Sequence, residues 1–271
     1  MNKAITQKNI ITKDSLLYNG SALLYSVIAY FSGIIGLFSQ DILINIISIF
    51  VLAHGMIIAA YLVHECAHNL IFRKMLHNTY LGRALTWLCG ASYGTYEDIR
   101  YKHFRHHVDN DDVVWFDYED FFRSHPLILK FTQILEWFYI PIHEIIMHII
   151  MAFTSFIIEE RRDQRRRNIL VLLLRSSLFL FISLYFPIVA FYYLVAYVIM
   201  MTVLRFMDSI QHDYSYNLTL FSNERSERKG DFEWEQEHTF SNPISMKIPV
   251  LNWLVLNFGF HNAHHSDMTI P

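Results

Sequence analysis

Three short segments of this 271-residue chain concentrate its imidazoles: His64 and His68 in HECAH, His103, His106 and His107 in HFRHH, and His261, His264 and His265 in HNAHH. Positions i and i+4 share one helix face, and so do i, i+3 and i+4, so each segment can aim two or three ring nitrogens at one metal. Eight of the 15 histidines fall in these boxes, a clustering that neither a solvated face nor scattered core histidines would give. A ninth candidate is His212, in RFMDSIQHDY. Asp208 lies one helical turn before it, placed to orient His212 or a metal-bound water. Alone, HECAH is ambiguous, because H-E-x-x-H is also the zinc-protease signature in which Glu65 would be the general base. That reading leaves seven of the nine histidines without a task.

Nine imidazoles exceed what one ion takes, since zinc sites usually have four ligands, so two ions are expected. An all-imidazole set suits iron, copper or zinc rather than magnesium or calcium. A pair of redox metals beside apolar segments is suited to activating dioxygen, which zinc, lacking redox chemistry, does not do. The remaining histidines read as structural: His54 as a neutral, hydrogen-bonded group inside an apolar segment, His143 and His148 in another, and His77 and His125 beside turns. His238 follows directly on a charged stretch, residues 224–237, that reads as a solvated connector, although Glu235 and Glu237 are possible ligands. The acidic run from Asp109 to Asp120 either supports the metal ligands, receives a basic electron donor, or is a charged cap surface.

These boxes need elements to hold them, and composition says which. Hydrophobic residues make up 53% and charged residues 17%, against roughly 25% charged in a soluble domain. The net charge of −3 gives no basic field, so nucleic acid is not a partner. Two cysteines, Cys66 and Cys89, make no disulfide scaffold. The N-terminal residues lack the pattern of a cleaved leader. Ser15 to Gln40 carries no charge, Ile42 to Val63 carries only His54, and Ile169 to Leu204 holds the single charge Arg175 with Pro187 at its middle. The last stretch is too long for one crossing and reads as two helices meeting near Phe186 and Pro187. The chain is thus expected to be an all-α integral membrane protein with four transmembrane helices, at about residues 16–39, 42–63, 169–186 and 188–207. Residues 64–167 and 208–271 then form a helical cap carrying the boxes, in one domain over residues 1–271. Five arginines in EERRDQRRRN, just before the third span, place the cap and both termini in the cytoplasm by the positive-inside bias; the alternative role for them is a phosphate clamp. Leu81 to Tyr96, Ile145 to Ile158 and Leu251 to Phe260 are apolar but too short to span, and read as interfacial or re-entrant helices.

The three boxes, their order, the two spans between the second and third, and His212 after the fourth span together resemble the integral-membrane fatty acid desaturase superfamily, over about residues 61–265. The resemblance implies a helical stem, a cytoplasmic cap with a non-haem di-iron centre, and an acyl chain held beside it. It carries the ligand role to His64, His68, His103, His106, His107, His212, His261, His264 and His265, and a weaker outer role to Asp208. It also implies dioxygen as co-substrate, an acyl lipid, acyl-CoA or acyl-ACP as substrate, and surrounding membrane lipid. His261 opens the third box where front-end desaturases carry Gln, and no His-Pro-Gly-Gly haem segment is present. Electrons are therefore expected from a separate ferredoxin or cytochrome b5 with its reductase. The expected activity is oxygen-dependent desaturation of an acyl chain. Alkane, sterol and carotenoid hydroxylases or ketolases share the boxes, so oxygen insertion is the alternative, with a membrane zinc protease or a metal transporter more remote.

Overall fold

The second apolar segment is the spine of the molecule. In the computed structural model, which describes residues 13–214, 217–222 and 226–268, α2 (Ile42–Ala67) is buried along most of its length and runs without a break into the first histidine box. Among the described residues, four helices are long and apolar enough to cross a membrane: α1 (Lys13–Gly36) from Leu17 onward, α2, Glu159–Tyr185, which joins a 3-10 turn to α8 (Arg165–Tyr185), and α9 (Pro187–Ser209). These are the four segments expected from composition. The N-terminal stretch up to residue 12 lies outside the described residues.

Boundaries shifted for local reasons. α1 ends at Gly36 because the Asn45 side-chain amide donates to the carbonyls of Gly36, Leu37 and Ser39 at 3.1, 3.2 and 3.1 Å, which satisfies acceptors that a helix end leaves open. α1 and α2 approach closely over small residues. A Cβ on Gly33 would lie 2.7 Å from the Leu52 Cβ, and one on Gly55 2.9 Å from the Tyr30 backbone nitrogen. Within this contact Ser26 donates to the Gly55 carbonyl at 2.8 Å. α8 and α9 meet at Phe186 with Pro187 at the first helical position of α9, where its missing N–H costs nothing.

Between α2 and α8 the chain folds back on the bundle. α3 (Met75–Leu88) packs against α2 and stops at Gly90, which has φ 81°; a 3-10 turn (Ala91–Tyr93) leads into α4 (Tyr96–Asp109), which carries the second box. Leu81 to Tyr96 is therefore two elements rather than one interfacial helix. Arg175 accounts for the break: its Nε donates to Ser92 Oγ at 2.8 Å and an Nη to the Trp87 carbonyl at 2.7 Å, with the guanidinium over both the Trp87 and Tyr93 rings. Three of the five arginines expected to set topology are likewise spent inside the protein. Arg167 donates to the carbonyls of Ser92, Tyr93 and Gly94, Arg165 to that of Ser155, and Arg161 pairs with the buried Asp98 at 2.7 Å.

After the second box, β1 (Asp112–Val114) pairs in parallel with β2 (Asn217–Thr219), which ties the box to the chain beyond α9. α5 (Tyr118–Ser124), α6 (Pro126–Trp137) and α7 (Ile142–Ile157) follow, the last two bent by 117° about a Trp137–Ile140 corner whose Tyr139 carbonyl accepts from Thr202 of α9. Residues 224–237 are not a plain connector, because Phe232–His238 forms a helix, α10. Leu251 to Phe260 is a 3-10 turn (Pro249–Val255) followed by left-handed Leu256 and Asn257, and it delivers the third box as α11 (His261–Ser266). His54 holds this delivery in place: its Nε2 donates to the Leu254 carbonyl at 2.9 Å while Nδ1 accepts from the Tyr25 hydroxyl at 2.5 Å.

The outer face of α6 carries Leu127, Phe131 and Ile134, continued by Phe138, all exposed, while Lys130 and Gln133 occupy another edge. A stripe of this kind fits the membrane interface. Spin labels on cysteines placed at 127, 131, 134 and 138 in lipid nanodiscs are expected to be relaxed by oxygen and shielded from a water-soluble nickel chelate, and those at 130 and 133 the reverse. Uniform nickel access would contradict this placement.

Candidate metal centre

The nine histidines singled out in the sequence converge, and they do so as two groups. His64, His68, His103, His107 and His264 offer ring nitrogens all within 4.8 Å of one another, and so do His106, His212, His261 and His265. The boxes do not map one to one onto the groups. The i, i+4 pair of the second box, His103 and His107, enters the first group with Nε2 atoms 3.0 Å apart, whereas His106 turns to His212 at 2.9 Å. The third box does the opposite: His261 and His265 meet in the second group at 3.1 Å, and His264 crosses to His68 at 3.2 Å. His68 to His103, 2.6 Å, and His212 to His261, 2.7 Å, close the two groups. An H-x-x-H-H sequence thus works as a splitter, sending its four-apart pair to one point and the intervening histidine to another.

These rings pose an electrostatic problem that a cation solves. His106 donates from Nδ1 to the Asp111 carbonyl at 3.0 Å, and His265 from Nδ1 to Glu235 Oε1 at 2.7 Å. His212 presents Nδ1 to Thr239 Oγ1 at 3.4 Å. With the proton committed outward, each neutral ring has only a lone pair at Nε2, and these bare nitrogens face one another at hydrogen-bond distance. Protonating them is opposed by burial. It depresses His106 to about 4 and His264 to about 3, and holds His103, His107 and His261 well below the ordinary range, with mutual repulsion among the rings adding to it. His64 Nε2 is buried with no hydrogen-bond partner at all. Two groups of converging, neutral imidazoles are a donor set that could hold transition-metal ions.

A cavity of about 410 Å³ opens beside both groups. His64, His103, His106, His212 and His261 face it, and Ala60, Val63, Ile99, Met147, Met151 and Leu204 supply an apolar lining from α2, α4, α7 and α9. Phe258 packs edge-on to His64, 5.1 Å, and stacks on Tyr61, 4.5 Å, as part of the wall. Glu65, the general base of the protease reading, lies 3.3 Å from His64 Nδ1 and is absent from the cavity lining.

Asp208 takes a different place from the one expected. α9 ends at Ser209, so His212 lies beyond the helix, bridged to Thr239, and is not one turn from Asp208 on a common face. Asp208 lines the cavity instead, with Lys102, Asp112, Glu144 and Arg205. His143 and His148 also line it without joining either group, while His238 donates to the Trp234 carbonyl and His125 to that of Phe121. The acidic run divides: Asp109 is buried against Arg105 and Lys229, the Asp111 carbonyl holds His106, and Asp117 caps α5. Sequence reasoning did not single out the outer partners Asp111, Thr239 and Glu235 as such, since two are separated from their histidines by many residues and one acts through its backbone.

No curated protein and no solved structure is similar enough to the chain to match it. The Fatty acid desaturase family matches it over residues 42–271, a stretch that holds all three boxes, His212 and three of the four apolar helices. The chain belongs to the fatty acid desaturase family.

Proposed function

We propose that this protein is a membrane-bound, oxygen-dependent di-iron desaturase that introduces a double bond into an acyl chain, using electrons from a separate ferredoxin or cytochrome b5 system. Its cap and termini face the cytoplasm in this reading. The observation that carries it is the pair of histidine groups whose bare nitrogens converge beside an apolar-walled cavity. His64, His68, His103, His107 and His264 would hold one iron, and His106, His212, His261 and His265 the other. When bound, the iron pair would supply the reduction of dioxygen to two waters at the expense of two external electrons, two protons from solvent and two hydrogens taken from neighbouring methylenes.

The chain's own residues have the remaining work, which is position and exclusion. Ala60, Val63, Met147 and Met151 form a channel wall against which a flexible acyl chain gains contact only when extended past the histidines. The Tyr61–Phe258 stack closes the wall next to His64 and His261 and keeps water from the reacting carbons. Lys102, Arg205 and Asp208 line the same cavity and suit a lipid whose polar group lies near the oxidised carbons. A cavity of this size is ordinary for a ligand site.

Mass spectrometry of total lipids from a host expressing the protein is expected to show acyl chains about 2 Da lighter, absent with His106→Ala or His264→Ala, one from each group. A gain of about 16 Da instead would transfer the same residues to hydroxylation. A second variant separates the cavity from the metals. Met147→Trp is expected to fill the channel and lower product at least tenfold while iron content stays at the wild-type level; unchanged product would remove this cavity from the account.

A further inference from the structure

Glu235 belongs to no histidine box, yet its carboxylate is the one that meets a box histidine most closely, with Oε1 2.7 Å from His265 Nδ1. The His265 side chain is fully enclosed and that of Glu235 nearly so. The bond fixes the His265 proton on Nδ1, so that Nε2, 3.1 Å from His261 Nε2, carries its lone pair into the second group. The same carboxylate lies within 4.8 Å of a ring nitrogen of His107. His107 belongs to the first group, meets His103 through Nε2, and has a buried Nδ1 without a hydrogen-bond partner. Glu235 therefore stands behind both groups at once. A third ion held by His107, Glu235 and His265 would compete for nitrogens already turned to His103 and His261, so an outer role accounts for the carboxylate better than a ligand role.

The surroundings of α10 hold that carboxylate in place from both sides. Asp231 caps the helix by accepting from the Trp234 N–H at 3.1 Å. Asn110, which ends the helix of the second box, donates to the carbonyls of Arg228 and Asp231 at 2.9 and 3.1 Å, and Lys229 pairs with Asp109 at 3.2 Å. From the third box, Asn262 donates to the carbonyls of Gln236 and Thr239 at 3.3 and 2.7 Å, and Ser266 to Gln236 Oε1 at 3.0 Å. Trp234 stacks between Tyr214 and His238. So many bonds on and around a seven-residue helix make sense if the position of one side chain on it matters.

We propose that Glu235 is a positioning residue of the metal centre: by accepting from His265 Nδ1 behind the second group, next to His107 of the first, it sets the tautomer and tilt of the ring that completes the four-histidine site. This rests on the metal-centre reading above. Losing such an outer partner costs roughly 10- to 100-fold in metal affinity.

The test uses the full chain in lipid nanodiscs, stripped of metal and titrated with Co2+, with affinity taken from equilibrium dialysis and coordination from the visible ligand-field spectrum. Glu235→Ala is expected to leave one of two ions bound as in wild type, to weaken the other by roughly 10- to 100-fold, and to alter the spectrum. Glu235→Gln, whose amide oxygen still accepts from Nδ1, is expected to recover most of the affinity. Glu237→Ala, an exposed carboxylate on the same helix, is expected to match wild type. Wild-type affinity and spectrum in Glu235→Ala would overturn the proposal, as would equal weakening in Glu237→Ala, which would mean that disturbing α10 at all is enough. A wild type that binds no Co2+ would overturn the metal-centre reading itself.

Discussion

Eight of the nine clustered imidazoles meet nose to nose and repel through their lone pairs, and much of the fold makes sense as the means of keeping them there. Without a cation, Nε2 atoms at 2.6 to 3.2 Å would relax by rotating or by taking up protons. Burial opposes the protons, and for His106 and His265 an outward hydrogen bond from Nδ1 opposes the rotation. The framework is thus preorganised for metal, in the sense that folding has already met the cost of assembling the donors.

That cost falls on charged side chains which composition alone would assign to the surface. Arg105 donates to Asp109 and to the carbonyls of Thr219, Leu220 and Ser222, locking the helix of the second box to the chain beyond α9. Around the start of that helix Arg167 and Arg175 satisfy carbonyls beside the turn at Gly90, while Arg161 pairs with the Asp98 carboxylate. Such half-buried cations are retained where their donors have several acceptors. The first box, the last turn of the long buried helix α2, receives a single such bond, from Arg100 Nε to the Ala67 carbonyl at 2.9 Å.

The spans and the nine candidate ligands were legible in the sequence because both depend on local period: continuous apolarity for a crossing, and 3.6 residues per turn for a face. The division of the boxes between two groups was not legible. A single helix face shows His103, His106 and His107 as neighbours, and only the angle between α4 and α11 decides that His106 joins His261 and His265. The relation of Asp208 to His212 was not legible either, because α9 ends at Ser209 and His212 lies beyond it, bridged to Thr239. Glu235 was named only together with Glu237 as a possible ligand, because a seven-residue helix in a charged stretch has too little periodicity to reveal which carboxylate faces inward.

The most direct test of the central claim is metal analysis with Mössbauer spectroscopy on protein from cells grown with 57Fe. The account predicts two irons per chain and two ferrous doublets of equal area, one for a five-histidine and one for a four-histidine environment. A single doublet at one iron per chain, or zinc in place of iron, would contradict it.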